Sequence, residues 1–86
     1  MTSGPVKLYA LSTCGHCRAA KRLLDALAVA YDVTDVDLLE GEERASAVAE
    51  VRRLNPRCSF PTLVVGEEVV VGYREDEIRR VLGVAP

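Results

Sequence analysis

The feature that most narrows the fold of this chain is a cysteine pair, Cys14 and Cys17, set where the hydrophobic pattern changes period. Before it, Val6-Lys7-Leu8-Tyr9-Ala10-Leu11 alternates and is rich in β-formers, which predicts a first strand. After it, Cys17, Ala20, Leu24, Leu27 and Ala28 recur at helical spacing with Leu23 on the flank, so a helix is expected from Cys17 to about Ala28. Arg18, Lys21, Arg22 and Asp25 fall on its polar side. Ser12-Thr13-Cys14-Gly15-His16-Cys17 is then a loop that opens into this helix.

The remaining elements follow in short order. Tyr31 to Leu38 alternates Val33, Val36 and Leu38 with aspartates and reads as a second strand that Gly41 breaks. Glu42 to Leu54 is expected to be a helix, with acid in its first turn and Arg52-Arg53 in its last, and Asn55-Pro56 ends it. Thr62 to Val65 and Val69 to Val71 read as a hairpin through Gly66-Glu67-Glu68, closed by Gly72. A last helix from about Glu75 buries Ile78, Val81 and Leu82 before Gly83. The order β-α-β-α-β-β-α implies an α/β domain. Its first two strands should be parallel through a right-handed crossover, its last two antiparallel, and helices should cover both faces of the mixed sheet.

Size and charge limit what such a domain can do. With 86 residues the chain is one domain with its core at about residues 6–82. Eleven Lys and Arg against thirteen Asp and Glu give a net charge of −2, and there are one Phe, three Tyr and no Trp. Neither a basic field nor stacking platforms are present, so no nucleic-acid partner is expected. No apolar run spans a bilayer and residues 1–5 lack a secretory pattern, so a cytoplasmic protein without a membrane partner is expected. Three cysteines do not make a disulfide framework, and in a reducing compartment paired cysteines are catalytic or metal-binding.

The spacing of Cys14 and Cys17 is that of a dithiol redox centre, and the reason is positional. Cys14 would lie at a helix N-terminus, where unpaired N–H groups and the positive dipole end stabilise a thiolate. Cys17, one turn on, is shielded and within reach of a mixed disulfide formed by Cys14. Gly15 leaves the sulfur uncovered, and His16 could add an imidazolium or a hydrogen bond. Zinc sites use the same spacing, but they need a second ligand pair and only His16 and Cys58 remain. Two packing cysteines without chemistry are the third reading. Far downstream, Ser59-Phe60-Pro61-Thr62 places a proline immediately before a strand. Such an X-Pro bond can be cis, or an ordinary trans proline can start the strand.

Taken together, the CxxC after strand one, Pro61 before strand three and Gly72-Tyr73-Arg74-Glu75-Asp76 after strand four resemble the glutaredoxin branch of thioredoxin-fold proteins. The resemblance runs from about Val6 to Leu82. It implies a four-stranded mixed sheet flanked by three helices, and a dithiol thiol–disulfide oxidoreductase in which Cys14 is the nucleophile and Cys17 resolves. It also implies that Pro61 is cis and guides substrate backbone. Thr13, Gly15, His16, Phe60 and Thr62 should line the site, with Gly72, Tyr73, Glu75 and Asp76 contributing to binding of substrate or glutathione. No metal and no tightly bound cofactor are called for. The expected partners are a disulfide-containing protein and either glutathione or a thioredoxin-reductase-type reductase as donor, and a monomer is expected. The alternative is a module holding an iron–sulfur cluster or zinc through the same cysteines.

The chain departs from the glutathione-using pattern at three places. Gly15-His16 replaces Pro-Tyr, Leu11 stands where a lysine usually precedes the nucleophile, and Val71-Gly72 replaces paired glycines. The lysine would meet a glutathione carboxylate, so the electron donor stays open, although Glu75 and Asp76 could meet its amino group. Outside the motif, Arg18, Lys21 and Arg22 read first as a solvated helix face. Arg52, Arg53 and Arg57 read as helix-end charge before they read as contacts for a glutathione carboxylate. Cys58 reads as a structural or incidental thiol before a redox one. Tyr9 and Tyr31 read as packing residues.

Overall fold

The computed structural model describes residues 5–84. Strand β1 (Val6–Ala10) leads into helix α1 (Gly15–Ala26), and strand β2 (Asp32–Asp35) is followed by a single 3-10 turn over Val36–Leu38. Helix α2 (Gly41–Leu54), the hairpin β3 (Thr62–Val65) and β4 (Glu68–Val71), and helix α3 (Glu75–Leu82) complete the chain. The sheet order is β2-β1-β3-β4, with β1 parallel to β2 and the other neighbours antiparallel.

Alternation along β1 explains the layers. Val6, Leu8 and Ala10 face one side and are buried, while Lys7 and Tyr9 face the other. On the first side α1 and α3 bring Cys17, Ala20, Leu23, Leu24, Ile78, Val81 and Leu82 onto Leu63, Val65 and Val70 in one cluster. Each fully buried Leu or Ile there contributes roughly 1.5–3 kcal/mol of transfer free energy. On the second side lies α2, which buries only Val51 completely. Its C-terminal end is held by polar contacts. Asn55 is 1% exposed, and its side-chain Nδ2 donates to Ser59 and to Thr62 Oγ1 at 3.2 Å.

Three expectations are corrected. The second strand stops at Asp35, because the chain folds into the 3-10 turn; of the three apolar residues assigned to the strand only Val36 is buried, while Val33 and Leu38 are 45% and 67% exposed. A three-residue apolar–polar–apolar run fits either conformation. Helix α1 begins at Gly15 and ends at Ala26, and Ala28 is exposed with φ +57. The hairpin turn is the two residues Gly66-Glu67, since Glu68 already pairs with Val65. Gly66, at φ +60, supplies the positive φ that the first position of such a turn demands.

Candidate functional site: a dithiol at the N-terminus of helix α1

Sheet register builds the site. Tyr9 pairs with Thr62 and Thr62 with Val71, so the next residues along, Ala10, Pro61 and Gly72, stand in a row at one end of the sheet. The Gly72 N–H donates to the Pro61 carbonyl at 2.8 Å, which extends that row. The loop from β1 carries Cys14 past this end and into α1. Phe60–Pro61 is a cis peptide bond, and Pro61 is fully buried. Cys14, Phe60 and Tyr73 are partly buried against the cluster that contains Cys17.

The two sulfurs occupy opposite environments one helical turn apart. Cys14 is the N-cap of α1, and its Sγ accepts from the Cys17 backbone N–H at 3.3 Å. Its thiol is shifted below its ordinary range. The first cause is a hydrogen bond from the Cys17 thiol; partial burial opposes it, and the N–H groups of Cys17 and His16 and the charge of Arg18 add to it. Cys17 is completely buried, and that burial, then its hydrogen bond to Cys14, pushes it up to about 11. The Leu11 N–H donating to Cys17 Sγ at 3.5 Å and the charge of Lys21 offset this only in part. One sulfur therefore favours the thiolate more than an ordinary cysteine does, and the other is held as a thiol. All three cysteines are free thiols.

Neighbouring side chains differ in part from expectation. His16 is exposed and lowers Cys14 through its backbone N–H, while the cationic contribution comes from Arg18, which also donates to the Thr13 carbonyl at 3.2 Å. Lys21 is not a solvated cation: it pairs with Asp35 at 3.0 Å with both side chains at most a quarter exposed. Thr62 does not line the site with its side chain. It is 0% exposed on the α2 side of the sheet, where Oγ1 donates to the Ser59 carbonyl at 2.8 Å and accepts from Asn55. Glu75 is engaged by Arg79 at 3.0 Å and by the Tyr73 hydroxyl at 3.3 Å, which leaves Asp76 as the less committed carboxylate at the start of α3. Arg53 is paired with Glu50 at 2.6 Å. Cys58 is half-buried in the left-handed region at φ +50 and donates its N–H to the Asn55 carbonyl.

The contact that the sequence did not announce joins Ser12 to Asp37. Ser12 N–H and Oγ donate to the two carboxylate oxygens of Asp37, the former at 2.8 Å, and these bonds hold the Asp37 carboxyl below its usual range. The clamp ties the loop two residues before Cys14 to the 3-10 turn that follows the strand. The two residues are 25 apart, so no local spacing reveals the pair.

Among the described residues no three His, Cys, Asp or Glu side chains converge on a point that could hold a metal ion. A groove of about 930 Å³ between α2 and the sheet, bordered by Lys7, Tyr9, Thr34 and Glu50, contains no cysteine.

A thioredoxin-like fold with a dithiol at the first turn of its first helix is the architecture these observations define. A sequence model of the glutaredoxin family matches residues 6–70, and the chain belongs to that family. No curated protein sequence matches it significantly. Among solved structures, the chain is similar to methanoredoxin of Methanosarcina acetivorans, at 44% identity and TM-score 0.89 over 93% of this chain and 85% of that one. It is also similar to a glutaredoxin from Methanosarcina mazei Go1, at 51% identity and TM-score 0.88 over 93% and 79%. A glutaredoxin from Archaeoglobus fulgidus is 35% identical with TM-score 0.87 over 91% and 85%. No helix among the described residues is long and apolar enough to cross a membrane.

Proposed function

We propose that this protein is a dithiol thiol–disulfide oxidoreductase acting on disulfides of proteins or of glutathione. The observation that carries the reading is the split between the sulfurs, with Cys14 lowered at the helix terminus and Cys17 buried and raised to about 11. The Cys14 thiolate attacks one sulfur of a substrate disulfide, forms a mixed disulfide and expels the other sulfur as a thiolate. That thiolate takes up a proton. Cys17 then loses its proton and attacks Cys14 Sγ; the Cys14–Cys17 bond forms and the second substrate thiol leaves. Two electrons pass from the dithiol to the substrate. The high value at Cys17 keeps it from competing in the first step and makes its deprotonation part of the second.

The reduced dithiol is regenerated by two glutathione molecules or by the dithiol of a reductase. Pro61, Phe60, Tyr73 and the backbone of Gly72 border the approach to Cys14, and no resident cofactor takes part. With Leu11 in place of a lysine and Glu75 held by Arg79, the chain offers glutathione fewer fixed charges than the family pattern, which favours a protein reductase. The reading is tested by reduction of bis(2-hydroxyethyl) disulfide with glutathione and its reductase, and separately with thioredoxin reductase. Turnover with either donor supports it. No turnover, together with a coloured, iron-containing dimer after anaerobic purification, would replace it with the cluster-binding alternative.

A further inference from the structure

A second groove adjoins the row formed by Ala10, Pro61 and Gly72. It measures about 430 Å³ and is lined by Asn55, Pro56, Arg57, Val71 and Arg74. Its floor is Val71, on the outermost strand of the sheet and 37% exposed, although its register partner Thr62 is completely covered. The loop after α2 bonds Thr62 through Asn55 and Ser59, while Val71 keeps part of its surface exposed. Arg57 and Arg74 also line the groove, both exposed, and neither makes a salt bridge or side-chain hydrogen bond among the described residues. Glu77, the carboxylate that feels the charge of Arg74, is already bonded to Arg80 at 2.6 Å.

Arg74 is the N-cap residue of α3 and is followed by Glu75, Asp76 and Glu77. Glu75 is held by Arg79 and Glu77 by Arg80, so neither of these carboxylates is bonded to the Arg74 guanidinium. The chain is acidic overall, so two uncommitted guanidinium groups over an apolar floor form a local exception. Guanidinium groups suit carboxylates, which they bind through paired N–H donors.

Resting on the oxidoreductase reading above, we propose that this groove docks a protein segment carrying carboxylates beside its disulfide cysteine. Val71 meets an apolar side chain of that segment, and Arg57 and Arg74 meet its acidic residues. The free edge of β4 allows the segment to lie extended along it. A folded partner or reductase that presents an acidic strand next to its disulfide is thereby favoured over a basic one. Charge of this kind at an interface rim acts mainly on the association rate and is weakened by salt.

The test uses two peptide disulfides of matched length, one flanked by aspartates and one by lysines, with bis(2-hydroxyethyl) disulfide and glutathione disulfide as further substrates. The wild-type protein is expected to reduce the aspartate-flanked peptide about tenfold faster than the lysine-flanked one at low ionic strength, a preference that falls with salt. In the Arg57→Glu/Arg74→Glu double variant the preference inverts while the rate with bis(2-hydroxyethyl) disulfide stays the same. Binding of the aspartate peptide with its cysteine replaced by serine, followed by fluorescence, reports docking without chemistry and should weaken in the same variant. An unchanged preference and unchanged binding in the variant overturn the docking proposal. An equal loss with glutathione disulfide also overturns it, because the groove then reads a small carboxylate and not a protein segment. If the wild type fails with bis(2-hydroxyethyl) disulfide while the serine peptide still binds through the arginines, the oxidoreductase reading falls and the docking surface stands.

Discussion

Helices α1 and α3 cover the same face of the sheet and end in the same way, yet they treat their electrostatics in opposite fashion. The first turn of α3 holds Glu75, Asp76 and Glu77 and its last turn Arg79 and Arg80, so side chains neutralise both poles of the helix. The first turn of α1 holds no acid and its last turn no base. It contains Gly15, His16, Cys17 and Arg18, and its cap is a sulfur. The positive end that α3 spends on its own carboxylates is left in α1 for a thiolate at Cys14. α1 is kept in place instead by packing, with Cys17, Ala20, Leu23 and Leu24 buried. The difference teaches that α1 leaves the N–H groups of His16 and Cys17 to the Cys14 sulfur, where they add to the hydrogen bond from the Cys17 thiol, while a neighbour of the same layer fills its first turn with carboxylates.

The comparison is broken most severely by removing the sulfur itself. Cys14→Ser should abolish attack on any disulfide, since serine caps the helix but supplies no thiolate at neutral pH. Cys17→Ser should still attack and then stall as a mixed disulfide, visible as an adduct by mass spectrometry under non-reducing conditions. An adduct on Cys17 in Cys14→Ser, with none on Cys14 in Cys17→Ser, would reverse the roles. A Cys14–Cys58 bond in Cys17→Ser would show that the left-handed turn at Cys58 brings a second resolving thiol into reach.

A smaller effect comes from making α1 resemble α3. The Cβ of a residue replacing Gly15 meets nothing within 4 Å, so Gly15→Glu with His16→Asp is sterically open. Carboxylates at a helix N-terminus stabilise the helix by about 0.3–1 kcal/mol each, and 1.36 kcal/mol corresponds to one pKa unit. The variant should melt higher than the wild type, and its Cys14 should titrate higher by roughly half a unit to a unit and a half. Alkylation across pH reads the second change. A variant that gains stability with no rise at Cys14 would sever the thiolate from the helix terminus.

The alkaline limb of stability separates the two cysteines. The folded value of Cys17, about 11, lies above the unfolded value of about 8.5, so the folded protein favours the protonated thiol. That contribution is complete below pH of about 8.5 and is lost as pH rises toward 11. Cys14, lowered in the folded state, acts with the opposite sign above its unfolded value. Denaturant titrations at pH 7 and pH 10 should show a loss of stability that Cys17→Ala reduces; an identical loss in the variant would remove burial as the cause. In the acid range, the lowered Asp37 carboxyl contributes stability above the ordinary carboxyl range and loses it as pH falls through its folded value. Asp37→Ala should free Ser12 and let Cys14 move toward its ordinary range, whereas Asp37→Asn keeps an acceptor for the Ser12 N–H and should shift it less.

Much of this architecture was legible in the residues. The strand–CxxC–helix junction, the proline before β3, the hairpin and the acidic start of α3 each carry a local signal of period, turn chemistry or charge. What escaped depends on contacts between distant residues. Val36-Asp37-Leu38 alternates as a strand would, but in the structure it is a 3-10 turn whose Asp37 carboxylate bonds Ser12 across 25 positions. The resemblance implies that Thr62 lines the site, but strand alternation points its side chain at Asn55. Arg18 and Lys21 looked equivalent on one helix face, and the difference between them is Asp35 on a neighbouring strand. Helix α2 was legible from its end charges and from Asn55-Pro56, but it buries little apolar surface, and its anchoring through Asn55 is a polar network that no hydrophobic period announces.

The smallest effect lies at the opposite ends of the same two helices. In α1 the N–H groups of Ala28 and Val29 donate to the carbonyls of Asp25 and Leu24, both at 3.0 Å. In α3 those of Gly83 and Val84 donate to Arg80 and Arg79 at 3.1 and 2.9 Å. Both are the left-handed closure that satisfies the last free carbonyls of a helix. α3 makes it with Gly83 at φ +72, where a missing Cβ costs nothing, and α1 makes it with Ala28 at φ +57. A left-handed non-glycine residue costs roughly 1–2 kcal/mol, and the greater unfolded-state freedom of glycine returns about half of that. Ala28→Gly should therefore stabilise the protein by about 0.5–1 kcal/mol, and Gly83→Ala should destabilise it by a similar amount. Ala28 is exposed and far along the helix from Cys14, so the gain should appear in denaturant midpoints while the Cys14 titration stays where it was. A shift of Cys14 in Ala28→Gly would mean that the two ends of α1 are coupled through the helix, and the contrast with α3 would then be one of rigidity as well as charge.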